Sequence, residues 1–397
     1  LFVSIFSRDT MKLAIISDFH LGYGSGSELA SDPFEALGEA LDKAMGCDLI
    51  LVAGDLFDSR TPSTETLTRG MELLIKPLAA ENGTRLVRGI GKNVEELTPL
   101  HQQGIPVVAI HGTHERRVRG LINPVQALEK AGFLIYLHCN GVILEKAGEQ
   151  VCIQGMSGVP EQFSGAVLQR WNPRPQRGCF SIMMLHQSIS PFIYAEHLLP
   201  LERLPKGFDL YVLGHVHESK KSSYSGSPLL IPGSLTTTQL TREAVAPKGF
   251  WIFDTKSGDA AFIPLEVQRR VYYLEHQGSQ ERLEAELESL LEHPHKKKPL
   301  IRVRGMVPDL PGLNSRFGDR TILSVRHETG EEKPQAVGIR EHTISVQELG
   351  RKLLRQNLGE AGLEQEIYEG VFDLLVHGKP EEALRLLSPE RQHKQGE

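Results

Sequence analysis

The stretch Leu210-Tyr-Val-Leu-Gly-His-Val-His-Glu218 decides how the rest of the chain is read. A short apolar run ends in Gly214, and His215 and His217 follow with one residue between them. Residues 209–213 have the length and composition of a buried strand, which puts both histidines at its carboxyl end. Four other apolar runs end in the same way. Residues 13–17 lead into Asp18-Phe-His20, 49–53 into Gly54-Asp55, 107–110 into Gly112-Thr-His-Glu115, and 181–185 into His186. Open α/β sheets gather functional side chains outside the carboxyl ends of their strands. Five runs are therefore expected to deliver carboxylates and imidazoles to one sheet edge.

The donors are Asp18, His20, Asp55, His114, His186, His215 and His217. Oxygen and imidazole donors of this kind suit Mn²⁺, Fe²⁺ or Zn²⁺. No cysteine joins them, which argues against a structural zinc. The strand period of two sends both side chains of His215-x-His217 to one face, and likewise Asp18-x-His20. Seven donors exceed what one ion needs. Two ions ~3.5–4 Å apart, bridged by one carboxylate, would use them all. A lone histidine is ordinarily a core or surface residue, and His101, His111, His138, His197, His276, His293, His295, His327, His342, His377 and His393 lack the strand-end context.

The chain has 397 residues, 40% hydrophobic and 24% charged, with a net charge of −6. That length accommodates two or three domains. The acidic balance excludes a generally basic nucleic-acid coat, so any phosphate-binding surface has to be local. Cys47, Cys139, Cys152 and Cys179 form no C-x-x-C pair, the pattern of reduced, buried thiols in a cytoplasmic protein. No apolar run approaches the ~20 residues that span a bilayer, and no membrane contact is expected. Residues 1–10 begin apolar but lack the positive region and cleavage site of a signal peptide. Met11 is the expected functional start, with an upstream extension before it.

Residues 12–55 read as a βαβ unit, with a helix over 34–45 started by Ser31-Asp32-Pro33 and closed by Gly46. Helices are expected over 62–76 and 124–131, and an antiparallel strand pair over 142–144 and 151–155. Polar residues 80–100, with Gly83, Gly89 and Gly91, interrupt this rhythm as a surface excursion. Strands at 229–231, 249–253 and 260–263 complete an α/β core over 11–267, expected to be a four-layer α-β-β-α sandwich. A small α+β module in β-α-β-β order follows over 268–328. Its helix, 279–291, carries Leu283, Leu287, Leu290 and Leu291 on one face. Residues 329–344 read as a charged linker, 345–357, 363–377 and 380–387 as amphipathic helices, and 391–397 as a disordered tail.

The series Asp18-Phe-His20, Gly54-Asp55, Gly112-Thr-His-Glu115, His186 and Gly214-His-Val-His217 resembles the calcineurin-like metallophosphoesterases. Within them, Ser17-Asp-Phe-His-Leu-Gly22, Ala53-Gly-Asp-Leu-Phe57, Met184-Leu-His-Gln-Ser188 and Pro232-Gly-Ser234 look like the SbcD-type nucleases. In archaea and eukaryotes these are the Mre-eleven nucleases, partners of the Rad-fifty ATPase. The resemblance implies a two-metal, Mn²⁺-dependent DNA nuclease of double-strand-break repair, with Fe²⁺ or Mg²⁺ as alternative metals. It implies exonuclease action on duplex ends and endonuclease action on single strands. It assigns the first metal to Asp18, His20, Asp55 and His217, and the second to Asp55, His186, His215 and residue 113. His114 becomes the catalytic residue that stabilises or protonates the scissile phosphate. Residues 268–328 become a capping, DNA-recognition module.

The resemblance also implies a homodimer through core helices near 62–76 or 124–131. An SbcC-like ATPase would bind the helices of 345–388, whose apolar stripes are Val346, Leu349, Leu353 and Leu354, then Ile367, Val371, Leu374 and Leu375. Arg116, Arg117 and Arg119 follow the His114 loop, and Lys220 and Lys221 follow the His217 loop. Arg302 and Arg304 alternate on a strand of the cap, beside the run Lys296–Lys298. These basic groups are the candidates for the DNA backbone.

Two positions depart from the family pattern. The family has Asn at residue 113, where this chain has Thr113, a shorter, neutral and weaker donor. A weaker second metal site is expected. Asp58 stands where many members carry His, and its carboxylate either holds a water or metal hydrate or is simply exposed. Two other readings stay open. A small-molecule phosphodiesterase or phosphatase would use the same metal core, although it needs neither a cap nor a helical tail. A DNA-end-binding subunit with reduced catalysis is what Thr113 would favour.

Overall fold

The computed structural model describes residues 10–326 except 119, 195–196, 277–278, 306 and 308, together with residue 354 and residues 365–376. Two sheets organise the core. The first has six strands in the order β15 (Ala260–Pro264), β14 (Gly249–Asp254), β1 (Lys12–Ile16), β2 (Leu49–Ala53), β4 (Val107–Ile110), β5 (Ile135–Tyr136). Its β1, β2, β4 and β5 run parallel, and β14 joins β1 antiparallel. The second has seven strands in the order β12 (Lys220–Tyr224), β13 (Ser227–Ile231), β11 (Leu210–Gly214), β8 (Phe180–His186), β7 (Glu149–Met156), β6 (Asn140–Lys146), β3 (Arg85–Ile90).

Alternation along fully buried strands builds the layers. Leu13, Ile15, Leu49, Leu51, Val108 and Ile110 of the first sheet meet Val142, Ile153, Ile182, Met184, Leu210 and Val212 of the second in one apolar cluster. The opposite face of the first sheet (Ala14, Ile16, Ile50, Val52) packs on helices α1 (Asp32–Ala44), α2 (Thr64–Leu78) and α3 (Pro124–Lys130). The outer face of the second sheet packs on α4 (Glu161–Trp171), on the short parallel pair β9 (Ile189–Ser190) and β10 (Leu199–Pro200), and on the loops around Leu204 and Phe208. This is the four-layer sandwich. Burial on both faces explains why its central strands read as continuous apolar runs.

Three local expectations need correction. Residues 80–100 are not only an excursion: β3 pairs antiparallel with β6 at the edge of the second sheet. Its polarity follows from that edge position, where Arg85 and Arg88 face water and guard unpaired backbone groups. Helix α4 and strand β12 have no counterpart among the expected elements. The third sheet, β16 (Val271–His276), β17 (Leu300–Gly305) and β18 (Ile322–Arg326), is parallel throughout. Two helices cross it, α5 (Gln280–Leu291) and α6 (Leu310–Phe317), so the module is β-α-β-α-β. The second helix was hidden by Pro311 and Gly312, yet Pro sits in its first turn and the Asp309 side chain accepts the Gly312 N–H. Leu283, Leu287, Ile301, Val303, Leu313 and Phe317 form the module's own core.

This third sheet lies in the same compact unit as the two large ones, Leu1–Ala336; Val337–Glu397 form the other. In the latter, α7 (Gln365–Val376) carries the buried Val371. The expected linker, tail and helices over 345–357 and 380–387 lie outside the described residues, apart from Leu354.

The ion pairs of Asp32 tie α1 to the small three-stranded module. Its carboxylate accepts from Arg269 Nε at 2.8 Å and from Lys297 Nζ at 2.9 Å, and Lys298 pairs with Glu28 at 2.8 Å. Two lysines of the run proposed for DNA are thus engaged here. The side chains of Asp32 and Arg269 are only 10% and 7% exposed. Asp32→Ala leaves a nearly buried guanidinium without its countercharge and should lower stability by roughly 3 kcal/mol. Urea unfolding checks this; a shift under about 1 kcal/mol would mean the pair behaves as a surface bridge.

Candidate metal centre

The donors converge where the two sheets face each other. Asp18, Asp55 and the residue-113 loop follow β1, β2 and β4 of the first sheet, whereas His186 ends β8 and His215 follows β11 of the second. The single sheet edge expected from the strand ends is therefore two facing edges. The loops after β1 and β2 stay paired beyond their strands, with the Asp18 N–H on the Gly54 carbonyl at 2.9 Å and the His20 N–H on the Asp55 carbonyl at 3.0 Å. Asp18, His20, Asp55 and His215 all have positive φ, 54°, 51°, 50° and 81°. Such backbone costs on the order of 1–3 kcal/mol per residue and survives where surrounding contacts impose it.

Three donor groups result, each with ligand atoms within 4.8 Å of one another: Asp18, His20 and His217; Asp55, His186 and His215; and His20, Asp55 and His114. Hydrogen bonds set the imidazoles. His186 Nδ1 lies 2.7 Å from the Ala53 carbonyl, which can only accept, so Nδ1 carries a proton. Its Nε2 then points at Asp55 Oδ2, 3.2 Å away, without hydrogen-bond alignment. His20 Nδ1 contacts Asp58 Oδ1 at 3.2 Å, and its Nε2 faces His217 Nε2 at 3.2 Å. Asp18 Oδ1 is buried with no partner.

These groups fit a bound cation. Acceptor atoms face acceptor atoms in a site where Asp18 and Asp55 are 0% and 1% exposed. Burial, opposed chiefly by His186, still raises the Asp18 carboxyl to about 6. Burial pushes Asp55 upward more than any other single effect, but His186, through its charge and contact, together with the charges of His20 and His114 holds Asp55 well below the usual range. The reciprocal effect raises His186 to about 10 against its own burial. In the protein alone, a proton on His186 supplies the positive charge that the carboxylates require. Burial, with the neighbouring His186, lowers His215 to about 4, so it is a neutral donor.

The sequence matches the family model of the calcineurin-like phosphoesterases over residues 11–219. The chain belongs to the calcineurin-like phosphoesterase family. Phosphoester hydrolysis with divalent metal follows from that membership. The chain is 27% identical to the DNA double-strand break repair protein Mre11 of Methanopyrus kandleri, over 75% of this chain and 66% of that protein. It is 25% identical to the double-strand break repair protein MRE11 of Arabidopsis thaliana, over 80% of this chain and 53% of that protein. The figures for MRE11 of Homo sapiens are 24%, 59% and 38%. The chain thus spans less than two thirds of these relatives.

Within this phosphoesterase site, Thr113 is half-buried and its hydroxyl lies 3.5 Å from Asp55 Oδ2. His114 is exposed, with its N–H on Asp55 Oδ1 at 2.9 Å and Nδ1 3.2 Å from the Asp58 carbonyl. Asp58 is neither idle nor remote, for its carboxylate stands between His20 and His114, 3.2 and 3.5 Å away. Glu115, for which the sequence gives no sign of a separate role, clamps the site: its oxygens accept the Phe57 N–H at 2.8 Å and the Gly112 N–H at 2.7 Å. Burial, reinforced by Asp55, raises it to about 8.

The basic candidates are less concentrated than expected. Arg117 donates to the Ile122 carbonyl, Lys220 pairs with Glu218 at 2.8 Å, Arg302 donates to Ser324, and Arg304 lies 3.8 Å from Glu275. Lys220 and Lys221 sit on edge strand β12 rather than on a loop. Arg116 is half-buried, and Arg119 lies outside the described residues. The four cysteines are unpaired; burial raises Cys47 and Cys152 to about 12. Among the described residues no helix is long and apolar enough to cross a membrane.

Gly214 lets the two sheets meet. A Cβ there would lie 2.0 Å from the Ala53 carbonyl and 2.7 Å from His186 Nδ1, the two atoms of the bond that orients His186. Gly214→Ala should weaken metal binding by at least about tenfold and cost roughly 1–3 kcal/mol of stability. Metal titration and urea unfolding test both; an unchanged isotherm would show that His186 does not depend on that bond.

Proposed function

We propose that this phosphoesterase is a Mn²⁺-dependent DNA nuclease of double-strand-break repair. It hydrolyses phosphodiesters as an exonuclease on duplex ends and an endonuclease on single strands. The observation that carries the reading is the pair of donor triads, Asp18/His20/His217 and Asp55/His186/His215, in a chain similar to proteins named for break repair. Asp18, His20, Asp55 and His217 would hold one ion, and Asp55, His186, His215 and Thr113 the other. Such a pair supplies a nucleophile at neutral pH and neutralises charge on the phosphoryl oxygens. The His114 ring stands at the open side of the site, 4.7 Å from the His20 ring, with Nδ1 on the Asp58 carbonyl. That leaves Nε2 for the scissile phosphate, where it holds or donates a proton. Arg116, Arg117, Arg119, Lys220, Lys221, Arg302 and Arg304 are the proposed backbone contacts, and the reduced cysteines fit a cytoplasmic protein. Thr113 favours a second reading, a DNA-end-binding subunit with reduced catalysis.

Digestion of an end-labelled linear duplex with Mn²⁺, with Mg²⁺ and with chelator tests the proposal. Mn²⁺ should support shortening, chelator should abolish it, and His114→Ala should slow it by about 10²–10⁴. Thr113→Asn should lower the Mn²⁺ concentration required. No shortening by either wild type or Thr113→Asn would move the assignment to end binding or a small substrate.

Residues 345–388 are proposed to dock a Rad-fifty/SbcC-like ATPase, and α2 or α3 to form a homodimer. Co-purification of that ATPase should be lost on deleting residues 345–397; retention would contradict the docking site.

A further inference from the structure

Beyond β13 the chain turns back over the Asp18/His20/His217 triad as a strap, Pro232-Gly-Ser-Leu-Thr-Thr-Thr238. It is fastened to backbone atoms of two of the donors. The Leu235 N–H donates to the Asp18 carbonyl at 3.3 Å and the Ser234 N–H to the His217 carbonyl at 3.2 Å. Lys248 reaches the same carbonyl with its ammonium group at 2.9 Å and holds the Ser234 hydroxyl at 3.1 Å. The Tyr23 hydroxyl donates to the Thr238 carbonyl at 3.0 Å. Gly233, at φ 79°, permits this approach, since a Cβ there would lie 2.8 Å from the Ser219 nitrogen and 3.0 Å from the His217 carbonyl. Ser234 and Leu235 are 1% and 0% exposed, so the strap is part of the packed wall and not a surface loop.

At its end, Thr238 Oγ1 lies 3.1 Å from His217 Nδ1. The other ring nitrogen, Nε2, lies 3.6 Å from Asp18 Oδ1 and 3.2 Å from His20 Nε2. Only Nε2 therefore faces the remaining donors, and it can bind a cation only if the ring's proton sits on Nδ1. In this half-buried place an Nδ1–H is satisfied by a neighbouring acceptor, and Thr238 Oγ1 is the acceptor in reach.

We propose that Thr238 is a positioning residue of the first metal site: its hydroxyl oxygen accepts the His217 Nδ1–H and so presents the Nε2 lone pair to the ion. The inference rests on the metal reading above and goes beyond it, to what sets the affinity of one of the two sites. The strap, fixed by Lys248 and Ser234, keeps that oxygen in place. Partners of this kind change metal affinity by about 10–100-fold when removed.

Mn²⁺ titration into the metal-stripped full chain, followed by calorimetry, tests this in wild type, Thr238→Val, Thr238→Ser and His217→Ala. The site lost in His217→Ala identifies the first site. Thr238→Val keeps the shape and removes the hydroxyl; it should weaken that site about 10–100-fold and leave the other unchanged. Thr238→Ser restores the oxygen and should recover binding to within about threefold of wild type. Unchanged first-site affinity in Thr238→Val overturns the proposal, as does equal weakening of both sites. Failure of serine to rescue also overturns it, because packing and not the oxygen would then matter. Wild type that binds no Mn²⁺ would overturn the metal reading itself, a distinct outcome. Nitrogen-15 NMR of the metal-stripped wild type gives a measurement that needs no variant: His217 should be the Nδ1–H tautomer, and the Nε2–H tautomer would sink the assignment.

Discussion

Two carboxylates, Asp18 and Asp55, are enclosed among four imidazoles at the meeting edges of two sheets, at 0% and 1% exposure. Their negative charges need a countercharge there. Moving one carboxylate out of water costs several kcal/mol unless positive charge accompanies it. The protein alone answers with a proton on His186, raised to about 10 by Asp55 against the opposing effect of burial. A divalent cation answers better, because it relieves several acceptor–acceptor contacts at once, Asp18 Oδ1 and the facing Nε2 atoms of His20 and His217 included. Much of the local structure exists to hold this electrostatic demand in place.

The sandwich supplies that support. Parallel strands β1, β2 and β4 end together, as do β8 and β11, and the apolar cluster between the sheets fixes their spacing. The turns leaving them carry positive φ at Asp18, His20, Asp55 and His215, conformations that a loop without support would abandon. Glu115 binds one turn to another through two backbone N–H groups, and the 232–238 strap binds the far side. These bonds hold the donors in one arrangement, which would lower the cost of assembling a coordination shell. The three-stranded module is held to α1 by Asp32, Arg269 and Lys297, so charge also governs how the smaller sheet meets the core.

Where expectation and structure part, the causes are local chemistry. Edge strand β3 read as an excursion because an edge needs polar and charged residues, the composition of a loop. Helix α6 is hidden in the sequence because Pro311 and Gly312 mark turns, although proline is also at home in a first helical turn. Lys297 and Lys298 read as DNA contacts because a basic run carries no sign of its partners, and both are paired with acidic groups near α1.

The seven carboxylate and imidazole side chains and their strand-end setting are legible in one dimension. Strand periodicity and the apolar run before each donor are local, and local patterns survive in one dimension. Thr113 stands among those side chains in the motif Gly112-Thr-His-Glu115. Tertiary structure alone decided that Asp55 of the first sheet meets His186 of the second, that Asp58 stands between His20 and His114, and that Glu115 and Thr238 orient the rest. Those pairings join segments far apart in the chain. Hydrogen-bond direction and burial then choose the tautomer and charge of each group, and no local periodicity records either one.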